Sequence, residues 1–386
     1  MKWDGKRKVI ILGCTGSIGT TALQAMDGLK DKFEIVGLSA HSAIDDLIHI
    51  SRTWNCGTIC LSNDNSPIAQ DVGDFTIHTG REGLLDMIRT TDADIVLNGI
   101  AGSSGLEPTM VAIESGKDVA LANKESIVMA GDILFDLAKA KGVSIIPVDS
   151  EHSTLHALVQ AHGREQIDRL VITASGGPFL TTPLDQLRHI TVDMAIAHPT
   201  WDMGMKISID SATLANKGLE VLEASYLFGF PADDIEVVIH PQSIVHSLVR
   251  MRNGALYAQL SPPDMALPIM SALADGRFPL EAIVKPLDFT DLTLNFRSPD
   301  FHRFPMLSLA YGAVRARGCY PIAFNGANEI AVNAFIQGKI RFDAIDRVVE
   351  QAMEANWSHR YTNLGEILAA DSAARALSRT IVEGIG

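Results

Sequence analysis

The sequence predicts an α/β protein with an N-terminal doubly wound, Rossmann-like domain, a central α+β domain with a lid loop, and a C-terminal helical domain. Short apolar runs alternate with helical patterns up to Val148, which is typical of βαβ units and a parallel sheet. Asn253-Gly254 separates two strand-like segments and predicts a hairpin with antiparallel sheet in the middle of the chain. From Phe304 onward the pattern is helical.

Composition fits an ordinary globular protein of two to three domains, with 386 residues, 47% hydrophobic and 20% charged. The net charge of -14 argues against a nucleic-acid or membrane-surface partner. Four cysteines without disulfide-like spacing favour a reducing, cytoplasmic compartment. We expect no transmembrane segment, because no apolar run approaches the ~20 residues that a span needs.

Each predicted element has a local signal. In the N-terminal domain, apolar runs predict seven strands at residues 9–12, 33–38, 58–61, 75–78, 94–98, 118–122 and 143–148. In the central domain, we expect strands at 168–174, 206–210, 237–239, 244–251 and 255–260. Near the C-terminus, the period predicts helices at 308–317, 326–337, 342–356 and 364–383. The expected boundaries are 1–149, 150–275 with a flap at 197–206, a proline-punctuated linker at 276–300, and 301–386.

A glycine-rich turn follows the first strand. Gly13, Gly16 and Gly19 form G-x-x-G-x-x-G before a helical segment, the context in which a backbone approaches a dinucleotide pyrophosphate. The second strand runs into His41-Ser42 rather than an acidic residue, which favours NADP over NAD. The alternative for Ser42 is a helix cap.

Acidic residues stand at the end of the seventh predicted strand. On an extended segment Asp149 and Glu151 project to the same side. Two such carboxylates suit a hard divalent cation such as Mg²⁺ or Mn²⁺, although a solvated acidic turn is the alternative.

Two further segments carry chemistry. The loop from His198 to Gly204 holds two large apolar side chains, Trp201 and Met203, which are unfavourable on an exposed loop unless something covers them. A lid that closes over a ligand would cover them, and so would a loop packed permanently on its own domain. Farther along, Ser211, Asn216 and Lys217 form a candidate phosphate clamp, and Glu220 a third metal carboxylate, because 216, 217 and 220 share one helical face. The alternative is a surface Lys217–Glu220 pair worth only ~0.5 kcal/mol.

Eight motifs stand in one order along the chain and together resemble the 1-deoxy-D-xylulose 5-phosphate reductoisomerase family. They are GCTGSIG at 13–19, ANKES at 122–126, VDSEH at 148–152, ASGGPF at 174–179, HPTWDMG at 198–204, DSATLANKGLE at 210–220, IHPQSIV at 239–245 and NGANE at 325–329. The resemblance implies NADPH- and metal-dependent rearrangement and reduction of 1-deoxy-D-xylulose 5-phosphate to 2-C-methyl-D-erythritol 4-phosphate, in the non-mevalonate isoprenoid pathway. It also implies a homodimer.

The resemblance implies residue roles as well. It makes Asp149, Glu151 and Glu220 ligands of one Mg²⁺, Mn²⁺ or Co²⁺ ion, and these three act in catalysis with Lys124 and His198. The implied substrate contacts are Lys124, Ser150, Glu151, Ser175, His198, Trp201, Met203, Ser211, Asn216, Lys217, Glu220, Pro263 and Met265. The implied cofactor contacts are Thr15, Gly16, Ser17, Ile18, Asn123, Glu125 and Gly204, to which the strand end adds His41 and Ser42.

The chain departs from the family pattern at two places. His41-Ser42-Ala43 stands where many members have a polar triplet such as Gly-Lys-Asn, and the flap has Thr200 and Asp202 where Asn and Ser are familiar. Two other classes of protein remain as alternatives. One is a metal-free NAD(P)-dependent aldehyde or semialdehyde dehydrogenase, which needs a nucleophilic cysteine, and the other is a non-catalytic nucleotide-binding protein.

Overall fold

The computed structural model describes residues 5–63, 75–201, 203–281 and 283–385, and these form two compact units. The first unit comprises residues 1–126, 132–153 and 264–285, and the second comprises 127–131, 154–263 and 286–386.

The first unit is built on a seven-stranded sheet. Its strands are β1 (Arg7–Leu12), β2 (Phe33–Ala40), β3 (Thr58–Leu61), β4 (Thr76–Thr79), β5 (Ile95–Asn98), β6 (Asp118–Leu121) and β7 (Ile145–Pro147). Its helices are α1 (Ser17–Met26), α2 (Ile44–Trp54), α3 (Gly80–Thr90), α4 (Leu106–Glu114) and most of α5 (Lys124–Lys141). A later helix, α10 (Ala266–Ala274), belongs to the same unit.

All seven strands of this sheet are parallel, in the order β4-β3-β2-β1-β5-β6-β7. The strand order reverses at β1, which pairs with β2 on one side and β5 on the other. In doubly wound sheets, ligands bind beyond the carboxyl ends of the strands at such a reversal. The predicted α/β fold and its seven strands are therefore confirmed.

The second unit combines a four-stranded sheet with helices. α6 (Ser150–His162) leads into it, and its strands are β8 (Ile167–Ala174), β9 (Ile235–Ile239), β10 (Val245–Met251) and β11 (Leu256–Leu260). Its other helices are α7 (Val192–Ile196), α8 (Met205–Thr213), α9 (Ala215–Phe228), α11 (Pro305–Ala316), α12 (Tyr320–Ile336), α13 (Ile345–Met353) and α14 (Leu364–Ile385). Short 3₁₀ helices lie at Asp27–Leu29, Ser103–Gly105, Arg164–Gln166, Leu184–His189, Ala232–Asp234 and Phe342–Ala344.

The predicted hairpin is present in this second sheet. The strand order is β11-β10-β8-β9, with β10 antiparallel to both β8 and β11. Gly254 takes a φ of +89°, and the Asn253 carboxamide oxygen accepts from the backbone N–H of Ala255 at 3.0 Å. The turn thus uses the two residue types that favour positive φ and local capping.

The strand predicted at 206–210 is wrong, because these residues lie in α8. Lys206-Ile207-Ser208-Ile209-Asp210 alternates polar and apolar residues as a half-buried strand does. In the structure Ser208, Ile209, Ala212 and Thr213 are buried, which is the spacing of one helical face. A five-residue alternation is too short to distinguish the two periods, and packing of the helical face decides.

Candidate active site

The glycine turn lies at the carboxyl end of β1, as the sequence predicts. Gly13 has a φ of +78°, and its N–H donates to the Ser39 carbonyl at 3.0 Å. Gly16 precedes α1, and Ser17 and Ile18 supply the first N–H groups of the helix, which no earlier helical carbonyl satisfies. This helix N-terminus favours an anion.

Gly19 lets α1 lie against the turn. A Cβ atom at this position would be 2.4 Å from the Gly13 carbonyl oxygen and 2.5 Å from the Cys14 Cα. Both are backbone atoms that cannot rotate away, so residue 19 must be glycine for this approach.

The end of β2 presents polar side chains rather than a carboxylate. His41 and Ser42 are exposed, and His41 Nδ1 lies 3.3 Å from Ser62 Oγ. The residue that precedes α2 is Ala43, so Ser42 is not the cap of that helix.

Asn123 holds the start of α5 in place. Its Oδ1 accepts from the Ser126 N–H at 2.9 Å, and its Nδ2 donates to the carbonyls of Ile100 and Gly102, both at 2.7 Å. Nδ2 also lies 3.2 Å from Glu125 Oε2. This predicted cofactor residue therefore fixes the loop after β5 as well as the first turn of α5.

Lys124 and Asp149 meet at the carboxyl ends of β6 and β7. The Lys124 ammonium donates to Asp149 Oδ2 at 2.9 Å, and both side chains are largely buried. Adjacent parallel strands bring these residues together, as the predicted topology requires.

Asp149 and Glu151 are close, but not by the predicted strand alternation. Glu151 lies in the first turn of α6, and Asp149 Oδ1 accepts from the N–H groups of Glu151 and His152 at 3.0 and 3.1 Å. This side-chain cap starts a helix where an extended segment is predicted. Each carboxylate still offers an oxygen within 4.8 Å of the other, and Ser150 Oγ donates to Glu151 Oε2 at 2.6 Å.

In the second unit, Asn216, Lys217 and Glu220 share one face of α9, as their spacing predicts. Asn216 Nδ2 donates to Glu220 Oε1 at 2.6 Å, and the Lys217 ammonium contacts Glu220 Oε2. The alternative of a surface pair is wrong, because the Lys217 and Glu220 side chains are only 6% and 1% exposed. Burial of the Lys217 and Glu220 charges on one helical face is costly without a function or a compensating network.

His198 is held as a neutral imidazole. Its Nδ1 accepts from the N–H groups of Thr200 and Trp201 at 3.1 and 2.9 Å, so the ring proton sits on Nε2, which donates to Ser175 Oγ at 3.0 Å. Desolvation in this half-buried position lowers the pKa of His198. Ser175 Oγ also accepts from the Gly177 N–H at 3.2 Å. Because the oxygen accepts these two bonds, the Ser175 hydroxyl proton can be donated to a different group, such as a bound ligand.

The flap residues lie against their own unit. The Trp201 ring is edge-on to His246, with ring centroids 6.2 Å apart, and Met203 is half-buried. Gly204 is exposed and directly precedes α8. Asp202 lies outside the described residues.

Ser211 lies near the carboxyl end of α8, beside the Ser175–Gly177 turn. A Cβ at Gly177 would be 2.7 Å from the Ser211 carbonyl oxygen, and Gly177 has a φ of +67°. The remaining predicted residues are half-buried: Pro263 in the second unit, and Met265 in the first, at the start of α10.

Sequence reasoning did not single out His246, which contacts the predicted flap. It is buried on β10, its Nε2 donates to the Ser261 carbonyl at 3.2 Å, and its ring faces Trp201. The motif at 239–245 ends one residue short of it, and only the contact with the flap reveals the position.

The cysteines do not suit nucleophilic chemistry. All four are buried thiols, and desolvation raises the pKa of Cys14 to about 12, of Cys56 to about 11 and of Cys60 to about 12. The pKa of Cys319 is also raised by burial. A protonated, inaccessible thiol is a poor nucleophile, which argues against the dehydrogenase alternative.

Comparisons with known proteins cover nearly the whole chain. Three family models match: 1-deoxy-D-xylulose 5-phosphate reductoisomerase at residues 9–131, its C-terminal domain at 145–228, and the DXP reductoisomerase C-terminal domain at 260–377. The 1-deoxy-D-xylulose 5-phosphate reductoisomerase of Treponema denticola is 44% identical over 376 residues, covering 97% of each chain. That of Geotalea uraniireducens is 44% identical over 378 residues, covering 96% of this chain and 97% of the relative.

Solved structures agree with the sequence relatives. The Zymomonas mobilis enzyme in complex with NADPH superposes with a TM-score of 0.90 at 37% identity, covering 98% of this chain and 99% of that one. A DOX-P reductoisomerase in complex with NADPH, fosmidomycin and magnesium gives a TM-score of 0.90 at 38% identity, covering 98% of both chains.

Proposed function

The chain belongs to the 1-deoxy-D-xylulose 5-phosphate reductoisomerase family, and from that premise we propose how its residues carry the reaction of the family. The enzyme rearranges 1-deoxy-D-xylulose 5-phosphate and reduces the product to 2-C-methyl-D-erythritol 4-phosphate with NADPH and a divalent metal ion, a step of non-mevalonate isoprenoid synthesis. The observation that carries this function is the match over nearly the full chain at 44% identity.

The glycine turn of the first unit fits NADPH. Gly19 lets α1 approach the turn closely, and Gly16 and Ser17 at the start of the helix are exposed, so their N–H groups can face a phosphate. We assign the pyrophosphate to Thr15, Gly16, Ser17 and Ile18, and the 2′-phosphate to His41 and Ser42, where a carboxylate would repel it. The other cofactor contacts that we assign are Asn123, Glu125 and Gly204.

The carboxylates fit a hard divalent ion. We assign Asp149, Glu151 and Glu220 as the ligands of one Mg²⁺, Mn²⁺ or Co²⁺ ion, supported by the paired oxygens of Asp149 and Glu151 and by the burial of Glu220. When bound, the ion supplies a Lewis acid for the substrate oxygens, and NADPH supplies the hydride for the reduction. The Lys124 ammonium donates to Asp149 Oδ2 at 2.9 Å and offers a positive charge to the substrate.

The substrate phosphate fits the second unit. Ser175 directs a hydroxyl proton outward, because its oxygen accepts from both His198 and Gly177. We assign the clamp to Ser175, Ser211, Asn216 and Lys217 and further substrate contacts to Ser150, Glu151, Pro263 and Met265. A net charge of -14 makes this local set of donors necessary for an anionic substrate.

The flap at 197–206 then covers the substrate. His198 organises the flap by accepting from two of its N–H groups, and Trp201 and Met203 supply apolar surface. Closure excludes water from the reacting carbons.

We also propose a homodimer in a reducing cytoplasm. β11 is an edge strand on which Leu256, Tyr257 and Leu260 are exposed, and such an edge favours a second strand. Leu256→Lys is expected to give monomers in analytical ultracentrifugation.

The four buried, unoxidised thiols suit a reducing compartment. In the described part of the chain, no helix has the length and apolar character that a membrane span requires.

The test is the loss of NADPH absorbance with 1-deoxy-D-xylulose 5-phosphate, with EDTA and then with Mg²⁺ or Mn²⁺ restored. We expect oxidation that EDTA abolishes and metal restores, and a much slower reaction with NADH. A folded protein that binds NADPH but oxidises none under any metal would contradict the proposed reaction.

A further inference from the structure

The motif at 325–329 has no role in the proposed reaction, yet its asparagines are fully buried in α12. The carboxamide of Asn328 donates from Nδ2 to Asp210 Oδ1 at 2.8 Å. The two residues are 118 positions apart in the sequence, so this bond joins α12 to α8.

Asp210 is a buried carboxyl group that has a partner at each oxygen. Its side chain is 1% exposed, and its second oxygen, Oδ2, lies 2.8 Å from the Lys206 ammonium one turn earlier in α8. Burying a carboxylate is costly unless each oxygen has a partner with good geometry. Asn328 and Lys206 supply those partners. Lys206 lies on α8 itself and holds the Asp210 side chain in place, whereas Asn328 lies on α12, so its bond to Asp210 fixes the rotation of α8 about its own axis.

α8 carries candidate site residues at both ends. At its start, Ser208 Oγ donates to the Gly204 carbonyl at 3.1 Å, which ties the end of the flap to the helix. Near its other end lies Ser211, whose carbonyl oxygen approaches Gly177 of the Ser175 turn so closely that a Cβ there would be 2.7 Å away. A rotation of α8 therefore moves the flap end and the serine together.

We propose that Asp210 and Asn328 are positioning residues that set the orientation of α8, and through it the placement of Ser211 and the flap around the substrate phosphate. This inference rests on the proposed function, because it assigns substrate contact to Ser211 and the flap. It explains why a buried carboxylate on α8 faces a buried carboxamide on α12.

The first test replaces Asn328 with Ala. We expect KM for 1-deoxy-D-xylulose 5-phosphate to rise more than kcat falls, with kcat/KM reduced roughly 10- to 100-fold, the effect of a misplacement of about 1 Å remote from the chemistry. The Kd for NADPH, measured by cofactor fluorescence, should stay near that of the wild type. Asn328→Asp places two carboxylates together and should be worse, and adding Asp210→Asn to it restores the hydrogen bond and should recover much of the lost KM.

The matched control is Ser378→Ala. Ser378 is fully buried on α14, and its hydroxyl donates to the Ala374 carbonyl at 2.7 Å within the same helix. This variant loses a buried polar group without a link to α8. We expect its Tm to fall while KM for the substrate stays unchanged.

A second readout does not depend on turnover. Trypsin cleaves after Lys206, which lies in the first turn of α8. We expect cleavage there to be several-fold faster in Asn328→Ala than in the wild type or in Ser378→Ala. If Asn328→Ala fails to fold, Lys206→Met removes the other partner of Asp210 and should raise KM in the same direction.

The outcomes separate the two claims. Equal KM and equal cleavage in Asn328→Ala and Ser378→Ala, or no recovery in the exchanged pair, would overturn the positioning role. Lack of turnover by the wild type would overturn the proposed function alone, and the cleavage rates would still decide whether Asn328 fixes α8.

Discussion

Gly19→Ala probes the glycine turn with a single methyl group. The added Cβ would meet the Gly13 carbonyl oxygen at 2.4 Å and the Cys14 Cα at 2.5 Å, whereas ordinary contact begins at 3.4 Å. To relieve the clash, α1 must move by about 1 Å from the turn, because backbone atoms cannot rotate aside.

Two consequences follow from this displacement. Overpacking of this kind costs about 1–3 kcal/mol of unfolding free energy. The N–H groups of Ser17 and Ile18 also shift from the pyrophosphate, and a misplacement of about 1 Å can reduce kcat/KM by roughly a hundredfold. We therefore expect weaker NADPH binding with little change in the KM of the sugar phosphate.

The assay is NADPH binding by fluorescence titration, together with urea denaturation. The matched control is Gly28→Ala, because a Cβ at Gly28 has nothing within 4 Å. The control should bind NADPH as the wild type does. If Gly19→Ala matched the control in Kd and in stability, the account of the glycine turn would be refuted.

Three further predictions concern other parts of the chain. Glu151→Gln should keep a native circular dichroism spectrum but reduce kcat more than about 100-fold, because loss of a residue that merely hydrogen-bonds to a metal ligand already costs roughly 10- to 100-fold. Full activity of this variant would show that Glu151 is not a metal ligand. Because burial lowers the pKa of His198 below its usual 6.5, the unfolded chain binds the proton first, so stability should fall as pH drops below 6.5, and activity should fall only as pH drops through the lowered pKa of the folded protein. His198→Asn, which keeps an acceptor for the flap, should show a flatter stability profile over that range, and an unchanged slope would contradict the assignment. Arg7 is fully buried between Asp118 and the Leu273 carbonyl, and Asp118 also pairs with Arg277 at 3.3 Å. Arg7→Met should therefore cost about 1–3 kcal/mol in urea denaturation, the penalty for a buried acceptor that loses its donor. A loss below about 0.5 kcal/mol would show that the network is dispensable.

The features that the sequence alone determined are those with short-range causes. The parallel strands follow from apolar runs that recur between helical patterns. The turn after β1 follows from its regularly spaced glycines, which let the backbone of α1 lie against the turn. The shared face of Asn216, Lys217 and Glu220 follows from helical spacing within five residues. Each of these signals lies within one element, so it can be read without knowing what packs against it.

Tertiary structure decided the rest. The alternation at 206–210 is that of a strand, but burial of one helical face places Asp210 in α8. The Lys217–Glu220 spacing is the same for a surface pair and for the buried pair that the structure contains. The bond from Asn328 to Asp210 joins residues 118 positions apart, and no local periodicity encodes such a contact. Burial and long-range pairing depend on which faces the folded chain brings together, and that information is distributed over the whole sequence rather than held in any one motif.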